Sequence, residues 1–239
     1  MKTTNATVDI HTHILPCMDD GSASVEESLQ LIAELSRQGV HTIAATPHFY
    51  ADREDPDAFL ERRTRAFELI CGKYDPRMTV LTGAEVYYYP GISRSEHLPK
   101  LTIGSTKLLL VEMPFCDWTA SMAQELLTIQ RTRGLDVVIA HIDRYFGIHN
   151  TRYRDEMLQN GILFQVNASA LLDKKRRTAV FHLLKQDAVQ FVASDCHNMK
   201  TRPPKLEEAY AVIGKKFGAG YAEWLREVPQ TVLESGDSR

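Results

Sequence analysis

The chain has 239 residues, 44% of them hydrophobic and 25% charged, with a formal net charge of −3. This is enough apolar material for a large core, at the length of a single α/β barrel, and the weakly acidic balance leaves no basic footprint for nucleic acid. No apolar run approaches the ~18 residues needed to span a bilayer, and the opening residues hold no secretory h-region. The four cysteines (Cys17, Cys71, Cys116, Cys196) are scattered without a Cys-x-x-Cys pair, so free thiols and a cytoplasmic location are expected.

In chain order, the first apolar run is Val8 to His13. It ends in His11 and His13, which are followed by Asp19, Asp20 and Gly21. Residues two apart on a strand share a face, so one ion can bridge the two imidazoles. Ser24 to Glu27 then reads as a capping box opening a helix that ends near Gly39. A second run, His41 to His48, precedes a helix with Asp55 as N-cap and Pro56 as first residue. The third run is Met78 to Val86 and the fourth Lys107 to Met113, followed by a helix over 119–133 closed by Gly134. The fifth is Asp136 to Ile142, with a short helix over 151–160. The sixth is Gly161 to Ala168, with a helix over 174–186. The seventh is Val189 to Asp195, with a helix over 205–217. Ala222 to Arg226 adds a last turn before Pro229, and 234–239 reads as a frayed tail. Alternation of near-continuous apolar strands with helices predicts a parallel sheet within one domain spanning 1–239.

The polar residues inside these runs gather at one end. His11 and His13 end the first strand, His48 the second, Glu85 the third, Glu112 the fourth and His141 the fifth. Asp195 and His197 end the seventh, and Asp20 joins from the first loop. In parallel α/β folds the carboxyl ends of the strands converge on one rim, where active sites are built. Five imidazoles and four carboxylates crowded there cost desolvation and repulsion unless cations neutralise them. The donor set suits Zn²⁺, Fe²⁺ or Mn²⁺ over Ca²⁺. Nine ligands exceed one tetrahedral ion, which points to a multinuclear site and phosphoester hydrolysis.

The motifs HTH (11–13), DDG (19–21), TPH (46–48), GAE (83–85), VEMP (111–114), AHIDRY (140–145) and SDCHN (194–198) resemble the polymerase-and-histidinol-phosphatase (PHP) superfamily. More closely, the chain is similar to the PHP-type protein-tyrosine phosphatases of bacterial capsular and exopolysaccharide systems, from Val8 to about Leu233. The resemblance implies a distorted (β/α)7 TIM-like barrel with a trinuclear centre, usually Mn²⁺-activated, acting on phosphotyrosine of a partner autokinase. Carried over by motif, His11, His13, Glu85 and Asp195 hold one ion. Glu85 bridges to a second, completed by Glu112 and His141, and Asp20, His48 and His197 hold the third. Arg144 and Arg202 match the phosphate-binding arginines, for which a planar guanidinium is suited. The loop after His48, Phe-Tyr-Ala-Asp-Arg, varies within the family.

Other residues are weighed against plainer roles. Cys-x₅-Arg occurs at Cys71 and at Cys196, but neither lies in a small-residue phosphate loop, and Cys196 reads as a buried hydrophobe. Cys17 and Cys116 read as packing residues near the rim. Tyr87, Tyr88 and Tyr89 follow Glu85 as rim packing, with ring stacking on substrate as the alternative. Asp9 and Asn167 are candidates to orient ligands from behind, and Asp19 is the runner-up to Asp20. His41, His97, His149 and His182 read as ordinary histidines. Lys174 to Arg177 open a helix as a solvated face, with docking of an acidic phosphorylated tail as the alternative. The rival functions are hydrolysis of a small metabolite such as histidinol phosphate, and metal-stabilised binding without catalysis. Oligomeric state is not readable.

Overall fold

Each predicted strand run forms a strand, and each pairing between neighbours is parallel. The computed structural model describes residues 7–147 and 151–236. The strands are β1 (Thr7–Thr12), β2 (Val40–Ala45), β3 (His48–Phe49), β4 (Thr79–Thr82), β5 (Glu85–Tyr87), β6 (Leu108–Glu112), β7 (Asp136–Ile139), β8 (Leu163–Asn167) and β9 (Phe191–Ala193). They form a three-stranded sheet, β1-β2-β4, and a six-stranded one, β3-β5-β6-β7-β8-β9. Two of the seven runs are broken in the middle. The second splits at Thr46-Pro47, where proline has no N–H to donate to the ladder. The third splits at Gly83-Ala84. A Cβ at Gly83 would stand 3.1 Å from the Ile103 side chain and 3.3 Å from that of Thr46, so the break is a point of close approach.

The hydrogen bonding continues across both breaks. Thr46 N donates to Thr12 O at 2.8 Å, Gly83 N to Ala45 O at 2.8 Å and Glu85 N to Pro47 O at 3.0 Å. At the far edge Asp195 N donates to His11 O at 3.0 Å and His13 N to Cys196 O at 2.9 Å, so the last strand meets the first. The result is a curled, parallel, seven-run α/β sheet closed by a β1–β9 seam, a distorted relative of the (β/α) barrel.

Strand periodicity gives the sheet an apolar cluster on each face. Val8, Ile10, Ala44, Leu108, Leu110, Val138, Ala140, Phe191 and Ala193 form the smaller cluster with Leu233. The alternate residues, among them Ile43, Leu109, Val111, Val137, Ile139 and Val192, pack with the helices.

The helices are α1 (Val25–Arg37), α2 (Pro56–Ile70), α3 (Ala120–Arg133), α4 (Thr151–Gln159), α5 (Ala168–Leu172), α6 (Lys174–Lys185), α7 (Leu206–Phe217) and α8 (Ala219–Gly236). The caps act largely as the sequence suggests. Asp55 accepts from Asp57 N and Ala58 N, and Ser24 accepts from Glu27 N. Glu27 returns its carboxylate to Ala23 N, one residue before the cap. The last helix is much longer than the single turn expected. It continues through Pro229 because Ala222, Leu225, Pro229 and Leu233 form one buried stripe, and that burial outweighs the donor that proline removes. The frayed tail is corrected accordingly, since 234–236 belong to α8; 237–239 and His149 lie outside the described residues.

Candidate metal centre

The strand ends deliver eight of the predicted residues to one rim, the first loop brings Asp20, and the chain leaves its regular path to do so. His141 and Asp195, just beyond β7 and β9, have φ of 34° and 52°. Non-glycine residues rarely occupy this left-handed region, and such conformations concentrate at functional sites. Gly21 closes the first loop against the same rim, where a Cβ would collide with His13 and with the Asp19 carboxylate.

His11, His13, Glu85, His141, Asp195 and His197 are buried, while His48 and Glu112 are slightly exposed. Asp20 is the exposed member, its carboxylate side chain 64% accessible. His11 Nε2 and His13 Nε2 stand 3.1 Å apart. Glu85 Oε2 lies 3.2 Å from the first and 3.3 Å from the second, and Asp195 Oδ1 3.7 and 3.5 Å from them. Glu85 Oε1 meets His141 Nε2 at 2.7 Å, and Glu112 Oε1 is 3.6 Å from that nitrogen. His48 Nε2 and His197 Nε2 face Asp20 Oδ1 at 3.6 and 3.3 Å.

The hydrogen bonds behind three imidazoles fix which nitrogen is free. Asp19 Oδ2 lies 2.7 Å from His13 Nδ1, the Asp195 carbonyl 3.0 Å from His197 Nδ1, and Gln165 Oε1 3.2 Å from His11 Nδ1. Each of these oxygens is an acceptor, so Nδ1 carries the proton and Nε2 turns its lone pair into the cluster. Gln165 Oε1 also accepts from His141 N at 2.7 Å. Gln165 then donates to Asn167, which donates to Asp195 Oδ2 at 2.6 Å.

These residues fit divalent cations. Glu85 Oε2, His48 Nδ1 and His197 Nε2 are buried without a hydrogen-bond partner, although the first two stand 2.9 Å apart. Lone pairs that converge unsatisfied cost several kcal/mol unless a cation takes them. The titration directions reflect how these groups crowd one another. Burial, then repulsion from Glu85, pushes the Glu112 carboxyl up to about 7. Burial opposes ionisation of Glu85, but His11 and His48 hold it well below the carboxylate range. Burial pulls the His13 imidazole down, yet Asp19 and Glu85 outweigh it and lift it to about 9. Burial lowers His141 to about 4. Three sets of ligand atoms each gather within 4.8 Å: His13, Asp20, His48 and His197; His11, His13 and Asp195; and His48, Glu85 and Glu112. The motif-based partition differs in four respects. Glu85 is not grouped with His11, His13 and Asp195, and His141 falls in none of the three sets. His13 also belongs with Asp20, and His48 also belongs with Glu85.

Arg144 and Arg202 edge the cluster. Arg144 Nη2 lies 2.5 Å from Asp195 Oδ2, and Arg202 Nη2 2.9 Å from both Asp195 oxygens. On the side of His48 a cavity of about 470 Å³ is lined by Asp20, His48, Tyr50 and Arg53. Tyr50 carries Arg53 over its ring at 4.2 Å and faces Tyr87 at 5.4 Å.

Asp9, Cys17, Cys116 and Arg176 differ from expectation, while Asp19, Tyr88 and Cys196 follow it. Asp9 supports no imidazole: its Oδ1 accepts from Ser194 N and His11 N and so ties β1 to β9. Asp19 orients His13 and accepts from His48 N at 2.9 Å, so its oxygens are spent behind the ligands. Tyr88 is buried and donates to Glu125 at 2.6 Å, which makes it a packing residue. Cys17 and Cys116 are exposed rather than packed. Cys196 is buried, and burial pushes its thiol far up, which removes it as a nucleophile. Arg176 turns from its helix toward Asp143 at 3.4 Å, so the basic run is not wholly a solvated face. Gln165 is absent from the sequence-based set. Its one signal is an amide within an otherwise apolar strand.

The comparisons agree with this geometry. A family model described as capsular polysaccharide synthesis, CpsB/CapC, matches residues 7–234. Tyrosine-protein phosphatase CpsB of Streptococcus agalactiae is 33% identical over 95% of this chain and 98% of its own. Tyrosine-protein phosphatase YwqE of Bacillus subtilis is 32% identical over 95% of this chain and 92% of its own. A crystal structure from work on YwqE and Streptococcus pneumoniae CpsB, described as unique metal-dependent tyrosine phosphatases, superposes with a TM-score of 0.80. It is 30% identical and covers 95% of this chain and 94% of that one.

Proposed function

Because the chain belongs to the CpsB/CapC family of capsular polysaccharide synthesis, we propose that its rim of imidazoles and carboxylates is the active site of a metal-dependent protein-tyrosine phosphatase. The observation that carries this reading is the convergence of His11 and His13 Nε2 with Glu85 and Asp195, and of His197 Nε2 with Asp20, each imidazole hydrogen-bonded through Nδ1 on its far side. His11, His13, Glu85 and Asp195 would hold one ion, Glu85, Glu112 and His141 a second, and Asp20, His48 and His197 a third, with His13 shared. Divalent cations bound there supply Lewis acidity and neutralise charge during phosphoryl transfer to water. Mn²⁺ suits this mixed nitrogen and oxygen set, as do Fe²⁺ and Zn²⁺.

The chain's own groups do the rest. Arg144 and Arg202 present guanidinium planes to the phosphoryl oxygens and accept the negative charge that builds up as the ester bond breaks. Tyr50 and Tyr87 form the aromatic wall beside the tyrosyl ring. The leaving phenolate has a pKa near 10, so it departs with less need of a proton donor than an alkoxide. No covalent phosphoenzyme is needed, and Cys196, being buried, is not placed to form one. The physiological partner is read as a bacterial tyrosine autokinase tail, met in the cytoplasm by a chain that is one catalytic domain.

Protein loaded with Mn²⁺ is expected to hydrolyse a phosphotyrosine peptide in preference to histidinol phosphate. Chelation should abolish turnover and Mn²⁺ restore it, and Arg144→Ala should lower kcat about a hundredfold. Undiminished turnover after chelation, with elemental analysis confirming loss of the metal, would overturn the proposal.

A further inference from the structure

A second cavity, about 330 Å³, lies on the other side of the arginine pair and shares none of the residues that line the first. Arg144, Arg176, Arg202 and Lys205 line it, and Asp195 is its one lining carboxylate. Arg144 and Arg202 both meet Asp195, which also faces His11 and His13, and each has a longer contact besides, Arg144 with Glu112 at 3.6 Å and Arg202 with Asp20 at 3.5 Å. Arg176 leans on Asp143 at 3.4 Å and Asp173 at 3.3 Å, with its side chain still 39% exposed. The ammonium of Lys205 has no ion pair within 4.0 Å among the described residues. Arg176 is offset by Asp143 and Asp173, so the surplus positive charge of the cavity rests on Lys205, within a chain of net charge −3.

The arrangement is held in place. Asn198 Oδ1 accepts from the backbone N–H groups of Lys200, Thr201 and Arg202, which folds the loop tightly. Gln38, at the end of α1, donates to Pro204 O at 2.9 Å and accepts from Glu207 N. The backbone on either side of Lys205 is therefore tied to α1, and the Lys205 side chain lines the cavity. Arg144 and Arg202 are accounted for by the scissile phosphoryl group; Arg176 and Lys205 are not.

We propose that this cavity is an anion subsite for a second acidic group of the same substrate. Lys205 and Arg176 would hold a side-chain carboxylate or a further phosphate close in sequence to the phosphotyrosine being cleaved. The proposal rests on the phosphatase reading above. It makes the enzyme selective for acidic or multiply phosphorylated segments rather than for isolated phosphotyrosine.

The test uses Mn²⁺-loaded full-length protein and three phosphotyrosine peptides, one with neutral flanks, one with glutamates beside the phosphotyrosine and one with a second phosphotyrosine there. The readout is the ratio of kcat/KM between acidic and neutral peptides, which cancels any general loss of activity. Wild type is expected to prefer the acidic peptides about five- to tenfold, the size of one partly exposed charge-assisted contact. Lys205→Glu should bring the ratio to one or below, and Arg176→Gln should reduce it. A larger preference for the doubly phosphorylated peptide assigns the subsite to phosphate, and equal preferences assign it to either anion. Unfolding temperature and metal content identify a misfolded variant, and Lys205→Ala then replaces it. If wild type turns over all three peptides equally, or Lys205→Glu and Lys205→Ala keep the wild-type ratio, the subsite is wrong and the phosphatase reading stands. If wild type turns over none of them, the phosphatase reading falls and the subsite with it.

Discussion

The proton on a histidine is as much a part of this site as the histidine itself. Asp19 and Gln165 place that proton on His13 and His11, and so decide that both Nε2 atoms meet between Glu85 and Asp195. Replacing either partner leaves every ligand in the chain but frees its imidazole to turn. We expect Asp19→Asn and Gln165→Leu each to weaken metal affinity or activity about ten- to a hundredfold, read by Mn²⁺ titration alongside phosphotyrosine turnover. Wild-type affinity in both would show that the imidazoles are held by packing alone. The ligands are legible in the sequence because a carboxylate or imidazole at the buried end of an apolar strand is costly unless something binds it. Gln165 is not, because the two histidines it serves lie 154 and 24 residues away in the chain and a lone amide carries no chemistry of its own. Asp9 misleads for the opposite reason. It has the residue type and spacing of a supporting carboxylate, yet it serves backbone amides at the β1–β9 seam.

Elements are legible where one period dominates. The seven apolar runs survive as seven parallel strand paths, and the caps at Asp55 and Ser24 mark where helices begin. The breaks at Pro47 and Gly83 can be located only with the neighbouring strands in view, since each depends on what the chain passes: Thr12 and Ala45 supply the bridging carbonyls. The last helix exceeds its expected single turn because Pro229 looks like a terminator in isolation, while the buried stripe through Ala222, Leu225 and Leu233 is a tertiary fact. That stripe packs α8 across β1 and β9, the two strands that close the sheet. Leu225 is fully buried, so Leu225→Ala should cost about 2–5 kcal/mol of stability, measured by denaturant unfolding. A loss below about 1 kcal/mol would mean that the surroundings collapse around the gap and that α8 contributes little to the closure.

At the scale of the whole molecule, the fold is asked to hold four carboxylates and five imidazoles on one rim, most of them out of contact with water. The hydrogen bonds behind the ligands position these groups but leave Glu85 Oε2, His48 Nδ1 and His197 Nε2 unsatisfied. The cost of that arrangement falls on the metal-free protein, because in the unfolded chain water solvates every one of these atoms. A cation that binds the native rim and not the unfolded chain therefore stabilises by mass action, by about 2.7 kcal/mol at a hundred times its Kd. For a chain of this size, that corresponds to a rise in Tm of roughly 5–10 °C. Thermal unfolding of chelated protein titrated with Mn²⁺ should show this rise, and it should be much smaller in Glu85→Ala, which removes the carboxylate that touches four of the five imidazoles. An equal rise in that variant would place the stabilising metal elsewhere and separate the stability of the fold from its catalytic rim.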